Sequence, residues 1–369
     1  MEAIVDLLLI NSDYPLIVVI SKLLILAFGL LTMLLMGYIF VNRGRVHHRQ
    51  QKDESLIEEY EDEIIDILIG ELKKNDPATY QDTVERLRIA FSGEAIQTLR
   101  KLMALLGRDM SGDNAFLLQE LYTDLQLERR SVKTLNNGSW EQKVMAVKEL
   151  GRFGVVHALP QLQSLAENPN KILRDEVQYT LLQLGGASQF EFLTTLNEPL
   201  TPWQQIRITE VFRLLDPQDL PDFQVYLSNQ YEEVTIFLLK LIKFFDQTQA
   251  REAVVDQLFD ERPLVKLEAV NTLAGWLDEE TVELLIILYE ESGLNIRIAI
   301  TKALQQWTYD QNTRYFLEGV LEETQEYTLC MSALQSLKKL GGEEAIIQLL
   351  DTTSVLNNRY IAHQLDERI

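Results

Sequence analysis

An apolar position recurs about every 31 residues over much of this chain, and this period limits the possible folds more than any other feature. The successive gaps are 34, 31, 30, 31, 31 and 33 residues, and in most copies further apolar residues stand three, seven and eleven positions earlier. Offsets of this kind keep to one face of a helix. We predict that an amphipathic helix ends at each of the recurring residues, which are Leu150, Leu184, Leu215, Phe245, Trp276, Trp307 and Leu340.

Shorter helices are predicted between these, because turn-forming residues such as Asn168-Pro169-Asn170 and Asp216-Pro217 punctuate the pattern. A helical pair of about 31 residues cannot bury its apolar stripe alone and must stack on its neighbours. The first copy carries Lys143 where most copies are apolar, and terminal repeats are often atypical. The predicted shorter helices cover residues 158–167, 189–196, 220–227, 250–259, 280–290, 313–322 and 343–350.

Three segments carry a recognisable pattern: Leu173-Arg174-x-x-Val177-x-x-Thr180-Leu181-x-x-Leu184-Gly185, Ile296-Arg297-x-x-Ile300-x-x-Ala303-Leu304 and Ala158-Leu159-Pro160-x-Leu162-x-x-Leu165. The first two resemble the second helix of a HEAT repeat and the third resembles its first helix, and the resemblance spans about residues 139–351. The resemblance implies an all-α fold with a HEAT-like α-solenoid. It also implies that a basic residue of the second helix supports the turn between the helices. Arg174, Lys266 and Arg297 occupy that position, and Gln205, Thr235 and Cys330 replace them in other copies.

Residues 15–41 form an apolar run with a single charge, Lys22. A helix needs about 20 apolar residues to cross the bilayer core, so we predict a transmembrane helix. A cleaved signal peptide is the competing interpretation, but the run is too long and no Lys or Arg precedes it. Lys22 either reaches to the membrane interface or contacts a partner inside the membrane. Gly29 and Gly37 are possible contact points for another helix.

A basic collar follows the apolar run and predicts the orientation of the protein. It comprises Arg43, Arg45, Arg49 and Lys52. Because positive charge is enriched on the cytoplasmic side of membrane helices, we expect a short outer segment and a cytoplasmic solenoid. The protein is therefore predicted to cross the inner (cytoplasmic) membrane once, with its N-terminus outside.

The predicted domain order has six parts. They are an extracytoplasmic segment (1–14), the transmembrane helix (15–41), a basic juxtamembrane linker (42–52), an irregular helical region (53–135), the HEAT-like repeats (136–351) and a C-terminal cap helix (352–369). Within the irregular region, one long acidic helix is expected from Asp53 to Asn75, and Pro77 is expected to open the next. The last polar helix is expected over residues 357–369.

Composition excludes several classes of function. The chain has 34 basic and 56 acidic residues, and its formal net charge is −22. Such a charge repels nucleic acid, so we expect no nucleic-acid partner. Cys330 is the single cysteine, which excludes an intrachain disulfide and a cysteine-rich metal site.

The sequence contains no motif that predicts catalysis. We found no HExxH, Walker, GxSxG or GxGxxG pattern in a suitable context, so we expect no enzyme activity, cofactor or metal. The acidic run at 58–63 suits a solvated helix face better than a cation cage. Trp276 and Trp307 fall on core positions. The candidates for partner binding are Trp140, Trp203, Arg174, Lys266 and Arg297, although a helix-start staple explains the first two equally well.

A tethered solenoid without a catalytic motif predicts a membrane-anchored scaffold or regulatory subunit. The architecture and the stretch Ser139-Trp140-x-x-Lys143-x-x-Ala146 resemble bacterial single-span HEAT-repeat proteins that accompany membrane glycosyltransferases of polysaccharide-producing systems. That resemblance implies an integral-membrane partner, and the acidic composition suggests that its cytosolic surface is basic. Two alternatives remain open: a general assembly or signalling adaptor, and an enzyme of the bilin-lyase type, whose short helical repeats are similar.

Overall fold

A computed structural model describes residues 16–68, 71–93, 95–109, 113–307 and 310–352 of this chain. Every regular element in these ranges is an α-helix or a 3-10 helix, which confirms the predicted all-α class. The chain divides into two compact units, Met1–Ser131 and Val132–Ile369.

The first unit is built on one very long helix, α1 (Leu16–Leu68), of 53 residues. The helix predicted to begin at Asp53 is therefore not separate, and the juxtamembrane segment 42–52 is helical. That segment lacks proline and is rich in Arg, Gln and Lys, which favour helix, so nothing in it ends the helix. The shorter helices of this unit are α2 (Glu71–Asn75), α3 (Pro77–Ala90), α4 (Ile96–Asp109) and α5 (Asp113–Asp124).

The start of α3 follows the prediction made from Pro77. Asp76 is the N-cap, and its carboxylate accepts a hydrogen bond from the Thr79 backbone N–H at 3.1 Å. Proline occupies the first helical position, where the missing N–H has no intrahelical partner to lose. Helix α1 joins the core of this unit through its C-terminal part, where the Tyr60 ring packs edge-on against Phe91 at 5.7 Å.

The second unit contains the predicted set of amphipathic helices. Their N-cap residues lie at Ser139, Asn170, Thr201, Tyr231, Arg262 and Gly293, spaced 31, 31, 30, 31 and 31 residues apart. This regular spacing is consistent with a helical-repeat solenoid. After α6 (Leu127–Asn137), these second helices of the repeats are α7 (Trp140–Arg152), α9 (Lys171–Gly185), α10 (Pro202–Arg213), α11 (Glu232–Phe244), α13 (Pro263–Leu273), α15 (Leu294–Ala303) and α17 (Tyr327–Thr352).

The first repeat ends one helical turn later than the sequence register placed it. After α7, the Phe153 N–H donates to the Glu149 carbonyl at 2.9 Å, and Gly154 is left-handed with a φ of 60°. After α11, Phe245 and Asp246 repeat this arrangement, with Asp246 at a φ of 51°. The residue equivalent to Phe245 is therefore Phe153 and not Leu150. Measured from Phe153, the first gap of 34 residues becomes 31, like the others.

The first helices of the repeats are less regular than predicted. Four of them are partly or wholly 3-10, and Pro221 interrupts the segment predicted at 220–227 because proline has no N–H to donate. The first consists of a 3-10 turn (Val156–Ala158) and α8 (Leu159–Gln163), the second of 3-10 Gly186–Thr195, and the third of 3-10 Pro217–Asp219 and Phe223–Tyr226. The fourth consists of 3-10 Thr248–Ala250, α12 (Arg251–Asp256) and 3-10 Gln257–Phe259. The next two are the α-helices α14 (Glu279–Glu290) and α16 (Gln311–Glu323).

The last predicted short helix, 343–350, is wrong as a separate element. Helix α17 continues through Gly341 and Gly342 to Thr352. Glycine costs about 1 kcal/mol in a helix interior, which weakens the helix without ending it. The predicted cap helix at 357–369 lies outside the described residues.

Neighbouring second helices run parallel and contact each other directly. The hydroxyls of Thr301 on α15 and Ser332 on α17 are 2.6 Å apart, and Ser336 donates to the Thr301 carbonyl at 2.6 Å. Between α11 and α13, the Thr272 hydroxyl donates to the Leu239 carbonyl at 3.4 Å. The paired residues in these contacts are 31 to 35 positions apart, close to one repeat, so equivalent parts of successive helices meet and the helix starts lie along one edge of the array.

Candidate membrane helix and partner-binding surfaces

The N-terminal part of α1 is long and apolar enough to cross a membrane. The candidate span is Ile20–Gly44, 25 residues long, and none of its most apolar stretch is buried against the rest of the protein. Lys22 lies near its start and is partly buried. Gly29 and Gly37 face open space, since a Cβ atom at either position would meet nothing within 4 Å. The span thus offers two points where another helix could approach closely.

The basic collar continues on the same helix. The Arg43 and Lys52 side chains are exposed. Arg45 and Arg49 lie on the helical backbone of α1, and their side chains fall outside the described residues. The collar is therefore helical rather than an irregular linker.

The side chain at the turn-supporting position of the second helices donates a hydrogen bond to the preceding turn even in copies where the basic residue is replaced. Arg174 donates to the Asn168 carbonyl at 3.0 Å, and Arg297 donates to the Tyr289 carbonyl at 3.0 Å. The substituted copies bond in the same way: Gln205 donates to Leu200, Thr235 to Leu227 and Asn229, and Cys330 to Thr324. These side chains donate to carbonyl groups at the turn between the helices and so hold the turn against the second helix.

The three basic residues predicted at this position differ in what else they contact. Arg174 also pairs with Glu198 at 2.6 Å, and Arg297 lies over the Tyr289 ring at 4.8 Å. Lys266 is partly buried. Two of the three guanidinium nitrogens of each arginine thus donate to groups of the solenoid itself, and a role for these residues in partner binding stays a prediction.

Trp140 and Trp203 both lie in the first turn of a second helix and are exposed, by 42% and 66%. Each follows a capping box, formed by Ser139 with Gln142 and by Thr201 with Gln204. The capping boxes pair backbone N–H groups of the first helical turn, and the indole rings take no part in this pairing. The core tryptophans behave differently, because Trp276 and Trp307 are partly buried against the apolar core.

The second helices share a largely solvent-accessible side, which we call the second-helix face, and Val144, Gly151 and Leu182 are its buried members. We number each second helix from the residue that precedes it, so that the first helical residue is position one. The second-helix face comprises positions two, five, nine, twelve and thirteen, which fall on one side of a helix. The five-position residues form an apolar row, in which Ile206 is 53% exposed and Val144 is buried. The apolar row is Val144, Ile206, Ile236, Leu267, Ile298 and Met331, interrupted by Asp175.

The C-terminal half of the same face is basic. We call this set the basic band, and it comprises Lys148, Arg152, Arg213, Lys240, Lys243, Lys302, Lys338 and Lys339. All positions nine, twelve and thirteen of the seven copies are described, and the acidic residue among them is Glu210, which pairs with Arg213 at 2.9 Å. The band was missed from the sequence because charge was counted over the whole chain. Aligning the repeats and reading their exposed positions would have shown it.

A cleft lies between α9 and α10 and exposes part of a charged network. Glu176 is 8% exposed and accepts two hydrogen bonds from Arg207, at 2.8 and 3.2 Å. The same guanidinium stacks on Tyr179, with its carbon 3.5 Å from the ring centroid. Asp175 lines the cleft, and burial raises the pKa of its carboxyl despite the opposing charges of Lys171 and Arg174.

Replacing Asp175 by asparagine is expected to raise the urea midpoint of unfolding at pH 7. A raised pKa means that the folded state favours the protonated carboxyl, so stability is lost as the pH rises past the ordinary Asp value of about 4. The gain from asparagine should shrink when the pH falls below that value. Asp219→Asn, in an exposed turn, is the matched control and should change the midpoint little. A lower midpoint for Asp175→Asn at pH 7 would contradict this account.

The acidic run at 58–63 is partly engaged in ion pairing, since Glu63 pairs with Arg86 at 3.0 Å. Within the described parts of the chain, no three His, Cys, Asp or Glu residues are grouped as metal ligands.

Comparison with known proteins adds no family assignment. No protein-family model matches the chain, and no curated protein sequence matches it at a significant level. The repeat architecture therefore rests on the helix order and spacing described above.

Proposed function

We propose that this chain is a membrane-anchored scaffold or regulatory subunit without enzymatic activity, whose helical array binds a membrane protein in the cytoplasm. The observation that carries the proposal is the second-helix face, where Trp203, Ile206 and Leu264 are exposed although the core does not use them. Exposed apolar side chains grouped on one surface mark protein interaction sites, and tryptophan is enriched there.

The proposed anchor is the Ile20–Gly44 span. The collar that follows it is basic, and Arg43 and Lys52 are exposed, which favours the cytoplasmic side for everything after it. A protein tethered in this way meets membrane clients at a high effective concentration.

The proposed client is an integral-membrane protein. The resemblance to HEAT-repeat proteins that accompany membrane glycosyltransferases makes a polysaccharide synthase the first client to test. Acidic side chains such as Glu252, Asp256 and Glu283 are exposed on the first helices, and a basic cytosolic surface on the client would complement them.

Extraction of native membranes with a mild non-ionic detergent tests the proposal. The tagged full chain is expected to co-purify with one integral-membrane protein in a fixed ratio. The double variant Trp203→Ser/Ile206→Ser should lose this partner. Phe259→Ser should retain it, because Phe259 is equally exposed but lies at the end of a first helix. A wild-type chain that elutes as a free monomer would refute the proposal, and a partner that is not a synthase would favour the adaptor alternative.

A further inference from the structure

The charge of the second-helix face is opposite to that of the chain as a whole. The formal net charge is −22, yet the basic band gathers Lys148, Lys240 and Lys302 at one repeated position, all of them exposed. The helix dipole favours positive charge in the last helical turn, where Arg152, Lys243 and Lys302 of the band lie. A partner approaching this face nevertheless meets a positive surface beside an apolar one.

The apolar row and the basic band lie side by side on each helix. Positions five and nine are one helical turn apart, so Ile236 and Lys240, or Ile298 and Lys302, project from the same side. Two acidic residues of the face, Glu141 and Glu233, stand at position two, on the other side of the apolar row, whereas Asp175 interrupts the row and Glu210 pairs with Arg213. Across a second helix, the order is therefore helix start, apolar row and basic band.

The spacing of the row along the array matches a helical ligand. Packed helices lie about 8–10 Å apart, so the apolar row presents one residue roughly every 10 Å. Seven residues of an α-helix span about 10.5 Å at 1.5 Å per residue. A helix with an apolar residue at every seventh position can therefore place one side chain on each of the five consecutive copies from Ile206 to Met331.

We propose that the second-helix face binds an amphipathic helix of a partner protein, with apolar side chains on the row and carboxylates on the basic band. This inference deepens the proposed function and rests on it for the existence of a partner. It also reverses, for this face, the basic partner surface suggested by the net charge of the chain.

An anionic lipid surface is the competing ligand for an apolar and basic face. Several members of the row, including Ile236, Leu267 and Ile298, are half-buried between their neighbours rather than protruding as membrane-inserting side chains do. A flat lipid surface would also have to meet Glu141 and Glu233. A helix lying along the row can keep its carboxylates on the side of the band.

Fluorescence anisotropy with designed peptides tests the inference on the full chain in non-ionic detergent micelles. The probes are two four-heptad peptides with the same heptad leucines, one with glutamate and one with lysine at the positions flanking them. We expect the glutamate peptide to bind at least about tenfold more tightly, and its affinity to fall as salt rises. Lys240→Glu/Lys302→Glu should weaken it about tenfold, whereas Lys133→Glu, an exposed lysine of α6, should have little effect.

Each outcome is decisive for one of the two proposals. The inference would be overturned if the two peptides bound equally well, or if the glutamate peptide bound Lys240→Glu/Lys302→Glu as tightly as Lys133→Glu. Displacement of the glutamate peptide by phosphatidylglycerol micelles would also overturn it. If native membranes yield no partner while the glutamate peptide binds as expected, the proposed function fails and the acidic specificity of the face stands. If a partner co-purifies while the two peptides bind equally, the inference alone fails.

Discussion

Replacing Phe190 by alanine is expected to lower the free energy of unfolding by about 3–5 kcal/mol. The Phe190 side chain is 0% exposed and lies at the centre of an aromatic cluster. Its ring packs edge-on against Phe212 at 4.9 Å, Tyr226 at 5.2 Å and Phe223 at 5.9 Å. Alanine would remove these contacts and leave a cavity that rigid neighbours fill only in part.

The backbone around Phe190 makes this residue more important than its area alone suggests. It belongs to the 3-10 segment Gly186–Thr195, whose hydrogen-bond geometry is poorer than that of an α-helix, so side-chain packing holds the segment in place. Urea unfolding of the full chain in micelles, followed by circular dichroism, measures the effect. Phe190→Leu is the control and should cost much less, because it keeps most of the buried volume. A loss below about 1 kcal/mol for the alanine variant would show that the cluster is loosely packed.

Replacing Arg207 by alanine is expected to destabilise the protein by about 3–5 kcal/mol. The variant would leave the Glu176 carboxylate buried between α9 and α10 without its bidentate partner. Lys148, at 3.9 Å, is the remaining cation near Glu176, and it is half exposed. A buried charge without a close partner costs several kcal/mol, and the stacking of Arg207 on Tyr179 would also be lost.

The double variant Glu176→Gln/Arg207→Ala separates the two parts of this effect. Removing the carboxylate charge together with the arginine should recover more than half of the loss in the urea midpoint. The single variant Glu176→Gln should be milder than Arg207→Ala, because Arg207 is partly exposed and can be solvated. Equal losses in the single and double variants would show that stacking on Tyr179, rather than the ion pair, carries the energy.

The second helices were predictable because their apolar periodicity and their capping residues indicate the same helix bounds. In α10, for example, Thr201, Pro202 and Gln204 mark the start, and Ile208, Val211 and Phe212 form the buried stripe. Where these signals were ambiguous, the prediction shifted by one turn. Leu150 and Phe153 are three residues apart and both buried, so hydrophobicity alone could not choose between them, and the left-handed Gly154 marks the end of the repeat's helix.

The short first helices were less predictable, because their positions depend on tertiary contacts. The backbone N–H of Phe223 donates to the Gln247 side chain at 3.2 Å, and Gln247 in turn donates to the Pro221 carbonyl at 2.8 Å. A side chain 24 residues away thus replaces a helical hydrogen bond. The partner-binding candidates were chosen as single conspicuous residues, whereas the basic band becomes visible only when exposed positions are compared across copies.

The continuity of α1 sets a distance. A helix rises about 1.5 Å per residue, so Tyr60, which packs against Phe91, lies about 24 Å along the axis beyond Gly44 at the end of the candidate span. A flexible linker would allow a range of distances between the candidate span and the packed part of the first unit, whereas an unbroken helix fixes that distance. In a membrane-inserted protein, each residue added to this stretch would move the rest of the first unit by about 1.5 Å along the helix axis and rotate it by about 100°, so its distance from the membrane and its orientation would change together.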